Sequence, residues 1–307
     1  MNDNKVTPTP RARIALLGAG TMGAGMAERL LDQSFSVDVW NRTPGSAERL
    51  AERGATAHPG AAQAVADVDI VLTMLPTGDA LQEVMVDMHT LDALRPGAVW
   101  AQMGTIGVKA TDMLQSEVAR ARPDVLFVDA PVSGSREPAR TGRLLILASG
   151  PVSARPVLEP VFGALGQRTL WLGAAGAGSR LKLVLNTWLA FEVEAAAEVS
   201  SVAARLGVPY PALVDAVKGG ALASGVAMAK LAKIDERNDA PDFSLEWALK
   251  DLDLAKAAAG DAALPIAAAI AGRWRELVAE GYGRLDISAA RMGLDGGPIE
   301  SGNRHAA

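Results

Sequence analysis

Apolar and polar positions follow two different periods along the chain. From Arg13 to about Gly173, short apolar runs of strand length alternate with stretches that have the spacing of amphipathic helices. The apolar runs are, in order, RIALLG, FSVDVW, DIVLTML, AVWAQM, VLFVDAPV, LLILAS and TLWLG. Near-continuous apolar strands separated by helices predict a doubly wound, mostly parallel sheet that is covered on both faces.

The second half of the chain has helical spacing only. The strand pattern stops after GAAGAG, residues 173–178, and residues 179–206 predict one long helix that ends before Gly207. Shorter helices are expected at 210–218, 243–260, 265–280 and 286–292, with a capping signal in APDFSLEW. We therefore predict an α/β fold class with four segments: a tail at 1–12, a Rossmann domain at 13–175, an all-helical domain at 176–295 and a tail at 296–307.

Composition excludes several classes of function. The chain has 307 residues, 49% of them hydrophobic, a net charge of −5 and no cysteine. Disulfides, thiol catalysis and thiolate metal sites are therefore excluded, and we expect no metal. The acidic balance argues against nucleic acid or anionic membrane as a partner. Charged residues interrupt each long apolar stretch and the polar start lacks a signal peptide, so a cytoplasmic enzyme is expected.

Three histidines are available for catalysis. His305 lies in the predicted tail, whereas His58 and His89 each stand alone in polar surroundings. We expect none of them to be catalytic, so a reaction that needs a proton donor must use another side chain.

A glycine-rich segment follows the first apolar run. Gly18, Gly20 and Gly23 have G-x-G-x-x-G spacing between a predicted strand and a predicted helix, which is the context of a dinucleotide-binding turn. In this interpretation Gly18 makes the tight turn, Gly20 lets a pyrophosphate approach, and Gly23 lets the helix pack on the strand. Ala19, Thr21 and Met22 complete the loop. The alternative is a glycine turn that serves packing alone.

The end of the second strand indicates which dinucleotide binds. NAD-binding folds usually have an acid there, whereas this chain has Asn41, Arg42 and Thr43. A neutral amide does not repel a 2′-phosphate, and a guanidinium and a hydroxyl can bind it, so we expect NADP, with NAD the weaker candidate. Asp38 is the competing acid, but it falls inside the strand. The alternative is that Arg42 is an ordinary exposed arginine.

The loop after the third predicted strand also borders the expected crevice. It contains Met74, Leu75 and Pro76, at the carboxyl end of a predicted parallel strand. The same three residues are equally consistent with a simple end to the strand.

One lysine is a candidate proton donor. Lys182 lies between two leucines in the first turns of a largely apolar helix, and Asn186 is four residues later on the same face. Partial burial lowers the pKa of a lysine, which suits proton donation near neutral pH. The amide of Asn186 can hold the ammonium or a substrate oxygen. The alternative is a lysine whose stem alone is buried.

Four stretches together resemble the β-hydroxyacid dehydrogenase family. They are GAGTMGAGMA (18–27), DAPVSGSREPARTGRLLILASG (129–150), GAGSRLKLVLN (176–186) and FSLEWALKDLDLA (243–255). The resemblance implies a catalytic role for Lys182 with Asn186 as its helix partner, and contact of Lys250 with the cofactor. It further implies a set of substrate residues, with Thr105 also next to the nicotinamide: Ser133, Gly134, Ser135, Thr105, Phe243 and Asp251.

Within the family, the NRT and VSGS segments resemble the NADPH-dependent glyoxylate/succinic semialdehyde reductases. This implies reduction of a small carboxylate-bearing aldehyde. The long helix at 179–206, with apolar residues on several faces, favours a homodimer or homotetramer. Gly104, where a serine is more usual, and three added arginines, Arg136, Arg140 and Arg143, leave the substrate open. NAD-dependent 3-hydroxyisobutyrate dehydrogenase and a non-catalytic dinucleotide-binding scaffold are the alternatives. Leu185, where 6-phosphogluconate dehydrogenases have histidine, argues against that enzyme, and the lysine argues against imine reductases.

Overall fold

A computed structural model describes residues 12–294 of the chain. It divides into two units, of which the first ends at Lys182 and the second begins at Leu183. The tails predicted at 1–12 and 296–307 lie outside the described residues, apart from Ala12. The predicted domain boundary at 175/176 remains a prediction. No helix in the described range is long and apolar enough to span a membrane.

The first unit is built on a six-stranded parallel sheet with the order β3-β2-β1-β4-β5-β6. Its strands are β1 Ile14–Leu17, β2 Val37–Trp40, β3 Thr56–Ala57, β4 Ile70–Thr73, β5 Val99–Gln102 and β6 Leu126–Asp129. Four of them are buried along their whole length, as their apolar runs predict. The short edge strand β3 was not predicted, because its two residues are exposed and belong to no apolar run.

Helices cover both faces of this sheet. They are α1 Thr21–Asp32, α2 Pro44–Ala51, α3 Ala61–Val65, α4 Gly78–Gln82, α5 Val108–Ala121, α6 Arg136–Thr141 and α7 Arg155–Leu165. Alternate residues of β1 enter two separate cores, Ile14 and Leu16 on one side and Ala15 and Leu17 on the other. A strand with two buried faces is the mark of a doubly wound sheet, so the predicted fold class is confirmed.

A second, three-stranded sheet lies in the same unit. It contains β7 Val132–Ser133, β8 Leu144–Ala148 and β9 Gly166–Trp171, with β7 antiparallel and β9 parallel to β8. The run VLFVDAPV therefore forms two strands, β6 and β7, rather than one. Pro131 stands between them, and its missing N–H interrupts the hydrogen-bond ladder.

Helices dominate the second unit. They are α8 Ala177–Arg205, which begins in the first unit, α9 Tyr210–Val217, α10 Gly225–Asp235, α11 Leu245–Ala259 and α12 Pro265–Leu277. The predicted helix at 286–292 is a turn of 3₁₀-helix at Ile287–Arg291. Helix α10 was not predicted, because Lys230 and Leu231 are its only buried residues and leave no apolar stripe in the sequence.

Candidate functional site

Loops from four parallel strands meet at the carboxyl edge of the large sheet. Because the strands are parallel, the segments that follow β1, β2, β4 and β5 emerge on the same side. These segments hold the residues predicted to bind the dinucleotide in this unit: Gly18, Ala19, Gly20, Thr21, Met22 and Gly23, then Asn41, Arg42 and Thr43, then Met74, Leu75 and Pro76, and finally Thr105.

The glycine loop has a separate reason for each glycine. Gly18 has φ +100°, and a Cβ there would lie 2.5 Å from the Met74 carbonyl oxygen. A Cβ on Gly23 would lie 1.9 Å from the Gly18 carbonyl oxygen, so only glycine lets α1 pack against the loop. A Cβ on Gly20, by contrast, would meet no atom within 4 Å. Gly20 is also the N-cap residue of α1, and no side chain caps the backbone N–H groups of the first helical turn. Open space at Gly20 next to these N–H groups fits a pyrophosphate.

Asn41 ties the glycine loop to the end of β2. Its Oδ1 accepts from the backbone N–H of Ala19 at 2.9 Å, and its Nδ2 donates to the Thr43 carbonyl oxygen at 2.9 Å. An aspartate at this position would set a carboxylate oxygen against the Thr43 carbonyl, which also accepts. The loop geometry therefore requires an amide here.

Arg42 and Thr43 are exposed beside Asn41. The Arg42 side chain is 78% exposed, and its ion pair with Glu83 spans 3.9 Å. Exposed pairs of this length contribute little, so an anion with two or more oxygens can displace the carboxylate.

Asp38, the competing acid, lies inside β2 and is buried. Its carboxylate accepts from Arg13 at 3.1 Å, and the His58 Nε2 lies 2.7 Å from its Oδ1. The expectation that His58 and His89 stand alone is therefore wrong, because His89 also pairs, with Asp92 at 3.0 Å. His305 lies outside the described residues.

The loops after β4 and β5 touch each other. The side-chain amide of Gln102 donates to the Gly104 carbonyl oxygen at 2.8 Å and accepts from the Gly104 N–H at 2.7 Å. A Cβ on Gly104 would lie 2.4 Å from the Leu75 carbonyl oxygen, which gives a physical reason for glycine where the family resemblance led us to expect serine. Gln102 thereby holds the loop that carries Thr105.

Ser133 is the last residue of β7, and Gly134 and Ser135 connect it to α6. Gly134 has φ +133°, and a Cβ on it would lie 2.9 Å from the Leu144 Cδ2, so the turn requires glycine. Ser133 and Ser135 are half-buried. Three nearby arginines are exposed: Arg136, Arg140, which pairs with Glu137, and Arg143, which donates to Thr141.

Lys182 lies on α8 and is buried, with 8% of its surface exposed. Such burial distinguishes it from a lysine whose stem alone is covered. Asn186 is one turn later on the same helix and is also buried. The helix places both side chains on one face.

The second unit holds its own predicted site residues close together. Asn186 Nδ2 donates to Asp251 Oδ2 at 2.5 Å, and Lys250 Nζ lies 2.9 Å from Asp251 Oδ1. Phe243 is half-buried just before α11, and its backbone N–H donates to Asp286 at 3.5 Å. The capping signal before this helix gives no side-chain cap, since Ser244 is the N-cap residue but makes no such bond.

Two family models cover nearly all of the described chain. Residues 13–173 match the NAD binding domain of 6-phosphogluconate dehydrogenase, and residues 176–292 match the NAD-binding domain of NADP-dependent 3-hydroxyisobutyrate dehydrogenase. The chain belongs to the β-hydroxyacid dehydrogenase family. It is therefore an oxidoreductase of the hydroxyacid type that binds a nicotinamide dinucleotide.

The relatives and solved structures resemble about nine-tenths of the chain. Glyoxylate/succinic semialdehyde reductase 1 of Arabidopsis thaliana is 31% identical over 90% of this chain and 96% of its own. A probable 3-hydroxyisobutyrate dehydrogenase of Mycobacterium tuberculosis is 34% identical over 90% of this chain and 95% of its own. The solved structure of 3-hydroxyisobutyrate dehydrogenase with L-serine, from the same organism, is 29% identical with a TM-score of 0.82, over 91% of this chain and 98% of that one.

Sequence reasoning did not single out Asp129, a buried carboxylate of this β-hydroxyacid dehydrogenase. Asp129, at the end of β6, is fully buried and accepts from the N–H and the Oγ of Ser179, both at 2.7 Å. Burial raises the pKa of the Asp129 carboxyl above its ordinary value, while the hydrogen bonds from Ser179 and Ser149 oppose that rise. The residue lies within a stretch that carries the family resemblance, but its partner is 50 positions away.

Proposed function

We propose that the protein is an NADPH-dependent reductase that converts a small carboxylate-bearing aldehyde, of the glyoxylate or succinic semialdehyde type, to the hydroxy acid. The observation that carries this proposal is the burial of Lys182 on a helix that starts at the dinucleotide-binding unit. A cytoplasmic location goes with the proposal.

The dinucleotide, when bound, supplies the hydride that adds to the carbonyl carbon. Lys182 donates a proton to the carbonyl oxygen as the π bond breaks, and its charge stabilises the oxygen while negative charge develops. Asn186 donates through its nitrogen to Asp251, which directs the amide oxygen as an acceptor toward an N–H or O–H donor. We infer that this acceptor orients the ammonium or the hydroxyl of the product.

The substrate carboxylate is assigned to the turn at Ser133. The Ser133 hydroxyl and the successive backbone N–H groups of Gly134 and Ser135 supply donors that can bind an anion. L-serine, found with the Mycobacterium tuberculosis relative, carries a carboxylate and a hydroxyl, as does the class of product proposed for this chain. The exposed Arg136 beside the turn adds positive charge that attracts an acid.

The substrate class is tested by steady-state kinetics on the complete protein. We expect NADPH oxidation with glyoxylate and succinic semialdehyde, and much slower oxidation with the corresponding aldehydes that lack the carboxylate. Faster oxidation of 3-hydroxyisobutyrate with NAD would replace the proposal by NAD-dependent 3-hydroxyisobutyrate dehydrogenase. Dinucleotide binding without turnover on a broad aldehyde panel would favour the scaffold.

Arg42→Ala tests the cofactor preference. We expect the KM for NADPH to rise by about tenfold or more, the equivalent of one lost charge-assisted hydrogen-bond pair of about 1.5–3 kcal/mol, while the KM for NADH stays the same. The cause is loss of the guanidinium that binds the 2′-phosphate. Arg49→Ala, in α2, is the control. Among the described residues, the Arg49 guanidinium donates a hydrogen bond to Ser46 only. An unchanged KM for NADPH in Arg42→Ala would contradict the preference.

The homodimer or homotetramer is also a proposal. Five exposed apolar side chains of α8 fall within an arc of about 60° at 3.6 residues per turn: Val184, Trp188, Val199, Val202 and Leu206. A stripe of this length is favoured to bury against a second copy. We expect Val202→Glu to lower the mass measured by light scattering, and Ala204→Glu, on the opposite side of α8, to leave it unchanged.

A further inference from the structure

A buried carboxylate joins the large sheet to the start of the helix that carries Lys182. Asp129 Oδ2 accepts from the backbone N–H of Ser179, in the first turn of α8, and Oδ1 accepts from the hydroxyl of the same serine, both at 2.7 Å. Ser149 donates to Asp129 Oδ2 at 3.2 Å and accepts from the backbone N–H of Gly178 at 2.9 Å. Two N–H groups of the first helical turn, which have no partner within the helix, are thus bound by side chains from other segments.

We propose that Asp129 is a positioning residue, whose carboxylate caps α8 from the end of β6 and thereby fixes the place of Lys182. The inference rests on the proposed role of Lys182. Gly178 and Ser179 precede the lysine by four and three residues, so they lie next to it on the helix surface. A displacement of the first turn therefore moves the ammonium directly.

The backbone at the start of α8 also packs closely against the backbone of a neighbouring strand. A Cβ on Gly178 would lie 2.1 Å from the Leu147 carbonyl oxygen of β8, so the helix begins directly against that strand. On the other side, the Ala130 N–H, next to Asp129, donates to the Gln102 carbonyl oxygen at 2.8 Å. Asp129 thereby connects the lysine helix to the same sheet edge that holds the cofactor loops.

The network can accept an amide in place of the carboxylate. In Asp129→Asn the amide oxygen can take the place of Oδ2 and accept from the Ser179 N–H. The amide nitrogen can donate to the Ser179 Oγ, whose proton turns to the Thr111 Oγ1, 3.1 Å away. In Asp129→Ala the Ser179 N–H is left buried without an acceptor. Asp129→Asn therefore removes the negative charge but keeps the helix cap, whereas Asp129→Ala removes both.

The experiment measures two properties of Asp129→Asn and Asp129→Ala. We expect Asp129→Ala to lower kcat by about 10²-fold with an unchanged KM for NADPH, since misplacement by about 1 Å has effects of that size. Asp129→Asn restores most of kcat. Without cofactor or substrate, hydrogen exchange of amides 178–182 becomes faster in Asp129→Ala and stays slow in Asp129→Asn.

Controls keep the outcome decisive. Asp38→Asn, which alters a buried carboxylate paired with Arg13 and His58, leaves exchange at residues 178–182 unchanged. Should Asp129→Ala not fold, Ser149→Ala removes both the acceptor of the Gly178 N–H and a hydrogen bond to Asp129, which predicts faster exchange at Gly178 with lower kcat. Slow exchange and full kcat in Asp129→Ala overturn the inference. If hydrogen exchange becomes faster in Asp129→Ala while Lys182→Ala keeps its activity, Asp129 does cap α8 but the proposed function is wrong.

Discussion

Lys182→Ala is expected to lower kcat by about 10²–10⁴-fold, the range that a general acid contributes, while NADPH still binds. The glycine loop and the Asn41–Thr43 segment, which are proposed to bind the dinucleotide, do not include the lysine. Loss of the ammonium removes both the proton for the carbonyl oxygen and the positive charge beside it. The measurement is kcat with succinic semialdehyde, together with a fluorescence titration of NADPH.

Lys109→Ala is the matched control. Lys109 is an exposed lysine of the same unit, in the first turn of α5, so its removal changes the net charge equally without touching the proposed site. We expect its kcat to equal that of the unaltered protein. A Lys182→Ala variant that keeps its kcat would mean that the proton reaches the oxygen from another source, and the proposed mechanism would then be wrong.

The fold could be predicted where consecutive apolar residues in the sequence indicate a buried strand or helix. Strands such as Ile14–Leu17 are buried on both faces, so every position is apolar and the strand can be recognised in the sequence. Strand β3 and helix α10 could not be found in this way, because the two residues of β3 are exposed and the buried residues of α10, Lys230 and Leu231, form no apolar stripe. The split between β6 and β7 had a local signal, Pro131, within an otherwise continuous apolar run.

The candidate site divides in the same way. The glycine loop is formed by residues that are close together in the sequence, and the spacing of Gly18, Gly20 and Gly23 is enough to predict it. The bonds of Asn41 to Ala19 and of Asp129 to Ser179 join segments that are 22 and 50 residues apart. The spacing of apolar residues does not indicate such pairs, since Asn41 and Asp129, taken alone, are ordinary polar residues at the ends of strands. The residues that hold the site are therefore harder to predict than those assigned to its chemistry.

Asp286→Asn is expected to lower the free energy of unfolding of the second unit by about 3–5 kcal/mol at pH 7, the cost of removing one partner from a buried ion pair. Asp286 is fully buried, and its Oδ1 lies 2.8 Å from Lys230 Nζ. It also accepts from the backbone N–H groups of Asp242 at 3.0 Å and Ser288 at 3.0 Å. Asparagine keeps the shape but leaves the Lys230 charge buried without its carboxylate.

The pH dependence of this loss has a definite sign. Burial acts to raise the pKa of the Asp286 carboxyl, but the hydrogen bond and charge of Lys230, together with the backbone N–H groups of Ser288 and Asp242, hold the pKa below its ordinary value. A carboxylate with a lowered pKa contributes stability above about pH 4, the ordinary value for aspartate, and loses it as the pH falls through the folded pKa. Urea unfolding at several pH values should therefore show a difference between Asp286→Asn and the unaltered protein that is full at pH 7 and shrinks in acid.

Asp253→Asn provides the matched comparison. Asp253 pairs with Arg275 at 3.0 Å, but its side chain is 43% exposed, so its loss should change the free energy of unfolding by about 1 kcal/mol or less. Since Asp286 also accepts from the N–H of Phe243, a large loss in Asp286→Asn would extend to the segment that precedes α11 and carries a proposed substrate residue. Equal small losses in both variants would mean that hydrogen bonds alone, and not the buried charge pair, hold this segment in place.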